Sequence, residues 1–307
     1  MTFERPDELR ATLGRLAAQS RMLDSLVVVD NSRSGSARDV LSAYPGRAVY
    51  IHAGDNLGPA GGFALGMEHV LVEAEDSDWI FVLDDDDPPF FDDAIEKAAE
   101  FAAAQIRRDP KTAGVGISGG RFDWKFGRVL RVGDAEIAGP VPVDHITGGG
   151  MPAYRVAAVR DVGTFCADLF FGFEELEYGT RLCRAGYSLY ADGDEWRRRK
   201  VVKREMGLLP PEKVSASRSP SLRVAPLSWR RYYSLRNLTY LLRRRGGHPL
   251  ALAVAFARGV LKPLVNMVLS PRESWPVLRL SWSAIRDGWT GRLGRRVEPD
   301  LRRVDVS

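Results

Sequence analysis

Trp79-Ile80-Phe81-Val82-Leu83-Asp84-Asp85-Asp86-Asp87-Pro88-Pro89 decides the fold. Five apolar residues running into acids and prolines predict a buried strand whose carboxyl end is Asp84. Upstream, residues 25–30 (Ser-Leu-Val-Val-Val-Asp) predict a second buried strand ending at Asp30, and residues 48–51 a third. Helical patterns separate them. Pro6-Asp7-Glu8 opens a segment with Leu9, Leu13 and Leu16 on one face, and residues 37–44 and 61–75 follow the same period. Downstream come a helix over 92–107 and a strand over 113–118. This alternation argues an α/β chain with a mostly parallel, doubly wound sheet. In such sheets ligands sit beyond the carboxyl ends of the strands, where Asp30 and Asp84 stand.

Four adjacent carboxylates repel one another and raise each other's pKa. Asp84–Asp87 therefore points to a cation, Mg²⁺ or Mn²⁺ by the hardness of the ligands, or else to a solvated acidic turn. Asn56-Leu57-Gly58-Pro59-Ala60-Gly61-Gly62 leads into a helix, which suits close approach of an anion to the backbone, or a tight turn. Glu174 and Glu175 open a further helix over 174–185. There they favour the helix dipole, and one of them can serve as a general base. Residues 119–143 read as irregular, and Thr147-Gly148-Gly149-Gly150-Met151 as a loop beside the site or a flexible turn.

Composition is that of a globular protein, with 45% hydrophobic and 27% charged residues. Two cysteines, Cys166 and Cys183, make no disulfide framework, so a reducing, cytoplasmic setting is expected, and the N-terminal residues show no secretory signal. The net charge of +4 conceals a division. Residues 1–195 hold 19 Lys and Arg against 33 Asp and Glu, a net of −14, whereas residues 196–307 hold 25 against 7, a net of +18. Three regions are expected: a catalytic domain over 1–204, a Pro/Ser-rich linker over 205–228, and a basic helical region over 229–307.

In that last region residues 250–269 form an apolar helix with Arg258, Lys262 and Asn266 in one stripe, kinked by Pro263. Trp275, Trp282 and Trp289 recur every seven residues beside Arg272, Arg279 and Arg286. Paired aromatic and cationic stripes suit a helix lying on an anionic leaflet; the competing reading is a helix packed on the catalytic domain or on a second subunit. No nucleic-acid-binding motif accompanies the charge.

The ordered set of motifs resembles the family 2 glycosyltransferases of the GT-A fold, in particular galactofuranosyl- and rhamnosyltransferases of actinobacterial type. Thr2-Phe3-Glu4-Arg5 is similar to the family's T-Y-N-R, Val27 to Asn31 to its V-V-D-N, and Asn56 to Gly62 to its N-x-G-x-x-G-G. Leu83 to Asp86 is similar to its D-x-D, Phe173 to Glu177 to its E-D motif, and Arg231-Tyr-Tyr-Ser-Leu-Arg236-Asn237 to its R-Y-Y-x-x-R-N. The resemblance implies inverting transfer from a uridine or thymidine diphosphate sugar to a glycan or lipid-linked acceptor at the inner face of the plasma membrane, with homo-oligomers possible. It implies Thr2, Phe3, Arg5, Asp30, Asn31, Asn56, Gly58, Gly61, Gly62, Asp84 and Asp85 around the donor. Within that set Asp30 accepts from the base imide and Asp85 touches the sugar. Asp86, with Asp84, holds Mn²⁺ or Mg²⁺; Glu175 is the base and Glu174 orients the acceptor.

The chain departs from the pattern in three places. The body of the first strand is missing before Thr2, which leads us to expect a native start upstream. The base is Glu175 where the family has Asp. Residues 192–198 lack the metal-binding His that many relatives carry, and His52, His69, His145 and His248 lie elsewhere. Two further readings stand beside this one: a sugar nucleotidyltransferase, and an inactive glycosyltransferase-like scaffold.

Overall fold

The computed structural model describes residues 1–209, 228–244, 246, 248–267 and 271–298. The expected linker lies largely outside them. The chain divides into two compact units. One comprises Met1–Arg121, Leu130–Ala167 and Glu174–Pro211, the other Phe122–Val129, Asp168–Phe173 and Glu212–Ser307, so far as their residues are described.

The first unit opens with α1 (Pro6–Ala17), β1 (Leu26–Asp30), α2 (Arg38–Leu41), β2 (Ala48–His52), α3 (Gly58–Val70), β3 (Trp79–Phe81) and α4 (Ala94–Arg108). β1 and β2 pair in parallel, Leu26 opposite Ala48 through Asp30 opposite His52. Thr2 adds one parallel bridge to Asp30, its N–H donating to the Val29 carbonyl and its own carbonyl accepting from Asn31. A largely apolar cavity of about 140 Å³ is lined by Leu9, Leu13, Val27, Val29, Ile80 and Val82 among others.

The chain continues with β4 (Thr112–Gly116), β5 (Gly119–Asp123), β6 (Arg128–Arg131), β7 (Pro140–Val143), β8 (His145–Ile146), β9 (Ala153–Arg155), α5 (Val156–Val162), α6 (Glu174–Arg184), β10 (Ser188–Asp192) and α7 (Gly193–Glu205). The α/β alternation is as expected, and the strand directions are mixed. In the sheet β3-β9-β4-β10-β7, β4 and β10 run parallel while β9 and β7 run against their neighbours. Residues 119–143 are corrected from irregular to strands. Gly119, Gly120, Pro140 and Pro142 have weak strand propensity, but β8 and β10 supply pairing partners.

The core beneath this sheet joins Ile80, Val82, Ile146, Val156, Val159, Leu182 and Leu189. Tyr154, Phe165 and Tyr178 pack within it at ring separations of 4.6 to 6.0 Å. Gly114 is required there, because a side-chain carbon would fall 2.5 Å from Leu189 Cδ2. His52 braces the Ser32 carbonyl and His69 is exposed, consistent with structural and surface roles.

The second unit contains α8 (Trp229–Arg244), α9 (Pro249–Phe256), a π-helical turn (Ala257–Leu261), α10 (Lys262–Asn266) and α11 (Pro271–Thr290). The expected kink is this π turn, placed just before Pro263, which has no N–H to continue the ladder. Arg258 is exposed; the Lys262 and Asn266 side chains lie outside the description. α11 turns Ser274, Val277, Ser281, Ala284 and Asp287 inward, and Tyr232 donates to Asp287 at 2.7 Å. Arg236 and Asn237 are fully buried. They donate to the carbonyls of Leu169, Phe171 and Gly172, which fastens the segment that runs covalently into Glu174. Among the described residues no helix is long and apolar enough to cross a membrane.

Candidate active site

Three segments of the first unit converge: the acidic turn after β3, the Gly148–Gly150 turn after β8, and the first turn of α6. The acidic turn is pinned from within. Asp85 is buried and accepts from the Thr2 hydroxyl at 2.6 Å, while its carbonyl accepts from Thr12 at 2.6 Å. With Asp85 directed inward, Asp84 and Asp86 lie on either side of it. Asp86 is 52% exposed and pairs with Arg5 at 2.5 Å. Gly148 meets the other carboxylates. A side-chain carbon there would lie 3.0 Å from Glu175 Oε1 and 3.8 Å from Asp84 Oδ2, and the Gly148 N–H donates to Glu175.

The electrostatics follow from that crowding. Burial pushes the Asp84 carboxyl up to about 6; the Met1 ammonium opposes this, and Asp86, Glu175 and Asp85 add to it. Burial also raises Glu175, against its own backbone N–H and that of Gly148. A half-buried carboxylate with an elevated pKa at a helix N-terminus is suited to take a proton. Glu174 beside it is buried.

The donor set suits a hard divalent cation. Asp84 and Asp86 supply two carboxylates, and Mg²⁺ or Mn²⁺ complete such sets with phosphate oxygens and water. A cation at Asp84 would relieve the repulsion that lifts its pKa. No described group of three or more His, Cys, Asp or Glu side chains is arranged to hold a metal by itself. The position expected to lack a histidine is occupied by α7, capped by Asp192, which accepts from the N–H groups of Asp194 and Glu195.

Several of the residues expected around the donor are engaged within the fold. Asp30 is fully buried, and its oxygens accept from Ser32 N–H at 2.9 Å, Tyr50 hydroxyl at 2.8 Å and Ala37 N–H at 3.1 Å. Burial favours a higher pKa, but these hydrogen bonds from Ser32, Tyr50 and Ala37 outweigh it and hold the carboxyl below its ordinary value. Asp30 therefore shapes the loop after β1. Asp85 and Thr2 likewise form an internal brace. Asn31 donates to the Gly58 carbonyl at 2.9 Å, while its buried Oδ1 has no partner among the described residues. Asn56 Oδ1 accepts from Gly58 N–H, and Gly58 takes a φ of 69° that favours glycine. Gly61 and Gly62 pack closely, Gly62 against Asn31 and Met1. Phe3 is half-buried.

Sequence reasoning missed two features. Gly148, read only as part of a loop beside the site or a flexible turn, donates its N–H to Glu175. Arg199 of α7 reaches the Gly149 carbonyl and Asp87, and the cation-rich run around it offered no apolar period to mark it as a helix.

The glycosyl transferase family 2 model matches residues 1–162. The chain belongs to glycosyl transferase family 2. Curated relatives include Galactofuranosyltransferase GlfT1 of Mycobacterium tuberculosis, 30% identical over 198 residues, which is 61% of this chain and 64% of the relative. The protein of the same name from Mycolicibacterium smegmatis is 29% identical over the same length. The chain thus spans less than two thirds of these relatives' length. Among solved structures, the crystal structure of GalNAc-T7 with UDP, GalNAc and Mn²⁺ is similar over 59% of this chain and 39% of that chain, at 13% identity and a TM-score of 0.47. Family membership accords with the expected GT-A α/β architecture. The acidic turn and the Gly148–Gly150 turn both fall within the matched residues.

Proposed function

We propose that this protein is an inverting glycosyltransferase. It moves a sugar from a uridine or thymidine diphosphate donor, galactofuranose or rhamnose by class, to a hydroxyl of a glycan or lipid-linked glycan. The observation that carries the reading is the meeting of Glu175, Asp84 and the Gly148 N–H at one point in a family 2 chain.

Glu175 takes the proton of the acceptor hydroxyl as that oxygen attacks the anomeric carbon from the face opposite the diphosphate. The Gly148 N–H keeps its carboxylate oriented. Glu174 orients the acceptor at the same helix end. Asp86 and Asp84 hold Mn²⁺ or Mg²⁺, which when bound neutralises charge on the diphosphate. Asn31, Asn56 and the Gly58–Gly62 segment shape the nucleotide side, and Arg5, paired with Asp86, adds a cation beside the acidic turn.

The exposed Trp275, Trp282 and Trp289, at 57%, 56% and 49%, with the exposed Arg272, Arg279 and Arg286, support docking of the second unit on an anionic membrane surface. In this reading the enzyme works at the inner face of the plasma membrane, near a lipid-linked acceptor.

A screen of uridine and thymidine diphosphate sugars with Mn²⁺ and with Mg²⁺ tests the reading. Acceptor-dependent release of the nucleoside diphosphate is expected. Formation of a sugar nucleotide from a sugar phosphate would instead favour a nucleotidyltransferase, and no turnover with any donor would favour a scaffold.

A further inference from the structure

α7 carries six cations between Arg197 and Arg204, and most are held at the outer surface of the first unit. Arg197 donates to the Ile137 carbonyl, Arg198 pairs with Asp93 and Glu195, and Lys200 and Arg204 pair with Asp134. Arg199 points the other way, into the site. Its Nη2 lies 3.2 Å from Asp87 Oδ1, its Nη1 donates to the Gly149 carbonyl, and its side chain is 13% exposed. Its Nε is buried with no hydrogen-bond partner among the described residues. Lys203, one turn on, lies over the Phe90 ring at 5.3 Å, with the Arg199 guanidinium over the same ring at 5.9 Å. Burial and the charge of Arg199 lower the Lys203 pKa, and Asp87 only partly offsets them. Two cations therefore share one carboxylate.

A buried N–H without a partner is costly, and an acceptor on a bound anion would satisfy it. The guanidinium is planar and forked, the geometry that accepts two phosphate oxygens at once. Its partner Gly149 adjoins Gly148, which touches both Glu175 and Asp84. The cation thus stands within one residue of the point where the proposed transfer occurs.

We propose that Arg199, assisted by Lys203, binds the diphosphate of the donor and stabilises it as the leaving group, giving up Asp87 for phosphate oxygens. This rests on the glycosyltransferase reading. In that reaction the bond from the anomeric carbon to the diphosphate oxygen breaks and its electron pair stays on the phosphate. The acceptor oxygen bonds to the carbon, and its proton passes to Glu175. Arg199 takes no proton; it offsets the negative charge that the diphosphate gains. Asp87 holds the guanidinium in place until a donor arrives.

Calorimetric titration of UDP and dTDP tests this, with uridine and thymidine as controls that lack the diphosphate. The full chain, Arg199→Gln, Arg199→Lys and Asp87→Asn are compared, each with and without Mn²⁺, after melting curves establish that they fold. Arg199→Gln is expected to weaken the diphosphate ligand at least tenfold while the nucleoside affinity stays unchanged. Arg199→Lys is expected to recover part of the loss. Asp87→Asn is expected to bind the diphosphate as well as or better than the parent, since it frees the guanidinium. Equal loss for nucleotide and nucleoside, or loss in Asp87→Asn matching that in Arg199→Gln, would overturn the proposal by showing that the pair only shapes the loop. Unchanged diphosphate binding in Arg199→Gln overturns it alone, whereas no binding of UDP or dTDP by the parent chain overturns the donor reading as well.

Discussion

Asp30 ends β1 and Asp84 follows β3, and they look alike in sequence, yet their surroundings drive them in opposite directions. Asp30 is satisfied by Ser32, Tyr50 and Ala37, so its ionised form stabilises the fold, and that contribution is lost as pH falls through its depressed pKa. Asp84 is raised to about 6 by burial and by its acidic neighbours, so its ionised form penalises the fold once pH rises past the interval between its ordinary 3.8 and that value. Two substitutions should therefore have opposite signs at pH 7.5. Asp30→Asn lowers the melting temperature. Asp84→Asn raises it, through a gain in stability on the order of 1 kcal/mol after solvent screening that fades near pH 4. Melting curves at the two pH values check both. Asp86 is half-exposed and braces nothing internal, so Asp86→Ala is expected to abolish metal-dependent transfer and leave the melting temperature within about 2 °C. The acidic run was legible as a site from sequence. Its division into an inward Asp85 and outward Asp84 and Asp86 was not, because that depends on Thr2 and Thr12 brought from elsewhere in the chain.

Among the elements, those with a strong apolar period were legible: α1, β1, β2 and α6 stand within a few residues of their expected bounds. The misses share a cause. β5 and β7 are rich in glycine, arginine and proline, and are held as strands by their partners. α7 has one buried residue, Gly193, and its helical form is supported by the Asp192 cap and by ion pairs of Arg198, Lys200 and Arg204 with Asp93, Glu195 and Asp134. α6 shows what an element contributes to chemistry. Gly179 lets it approach β8 so closely that a side-chain carbon would fall 2.3 Å from the Asp144 carbonyl and 2.8 Å from His145 Cα, both backbone atoms. Gly179→Ala must therefore push the helix away and carry Glu175 with it. The expected outcome is a destabilisation of about 1–3 kcal/mol in urea unfolding, with a fall in transfer rate even where the variant remains folded.

At the scale of the molecule, the acidic front and basic back noted in the sequence correspond to different surfaces. The carboxylates cluster where a metal, a donor and an acceptor are proposed to meet. On α11 the small residues face inward and the tryptophans outward, so the seven-residue repeat marks a surface, not a core. Sedimentation with vesicles of anionic lipid is expected to carry the protein down at low salt and less so at high salt. Replacing Trp275, Trp282 and Trp289 together with alanine should abolish the salt-resistant part. Failure to bind at any salt concentration would remove the membrane placement while leaving the catalytic reading untouched.

The most direct test of that catalytic reading is acceptor-dependent release of nucleoside diphosphate by the parent chain and by Glu175→Gln, followed across pH. The parent rate should rise with pH through a midpoint above the usual carboxylate range, because Glu175 must be ionised to accept a proton and burial raises its pKa. Glu175→Gln should lose at least a hundredfold in rate, the lower bound of a general base's contribution, while binding the donor normally. A Glu175→Gln variant that turns over at the parent rate would contradict the account.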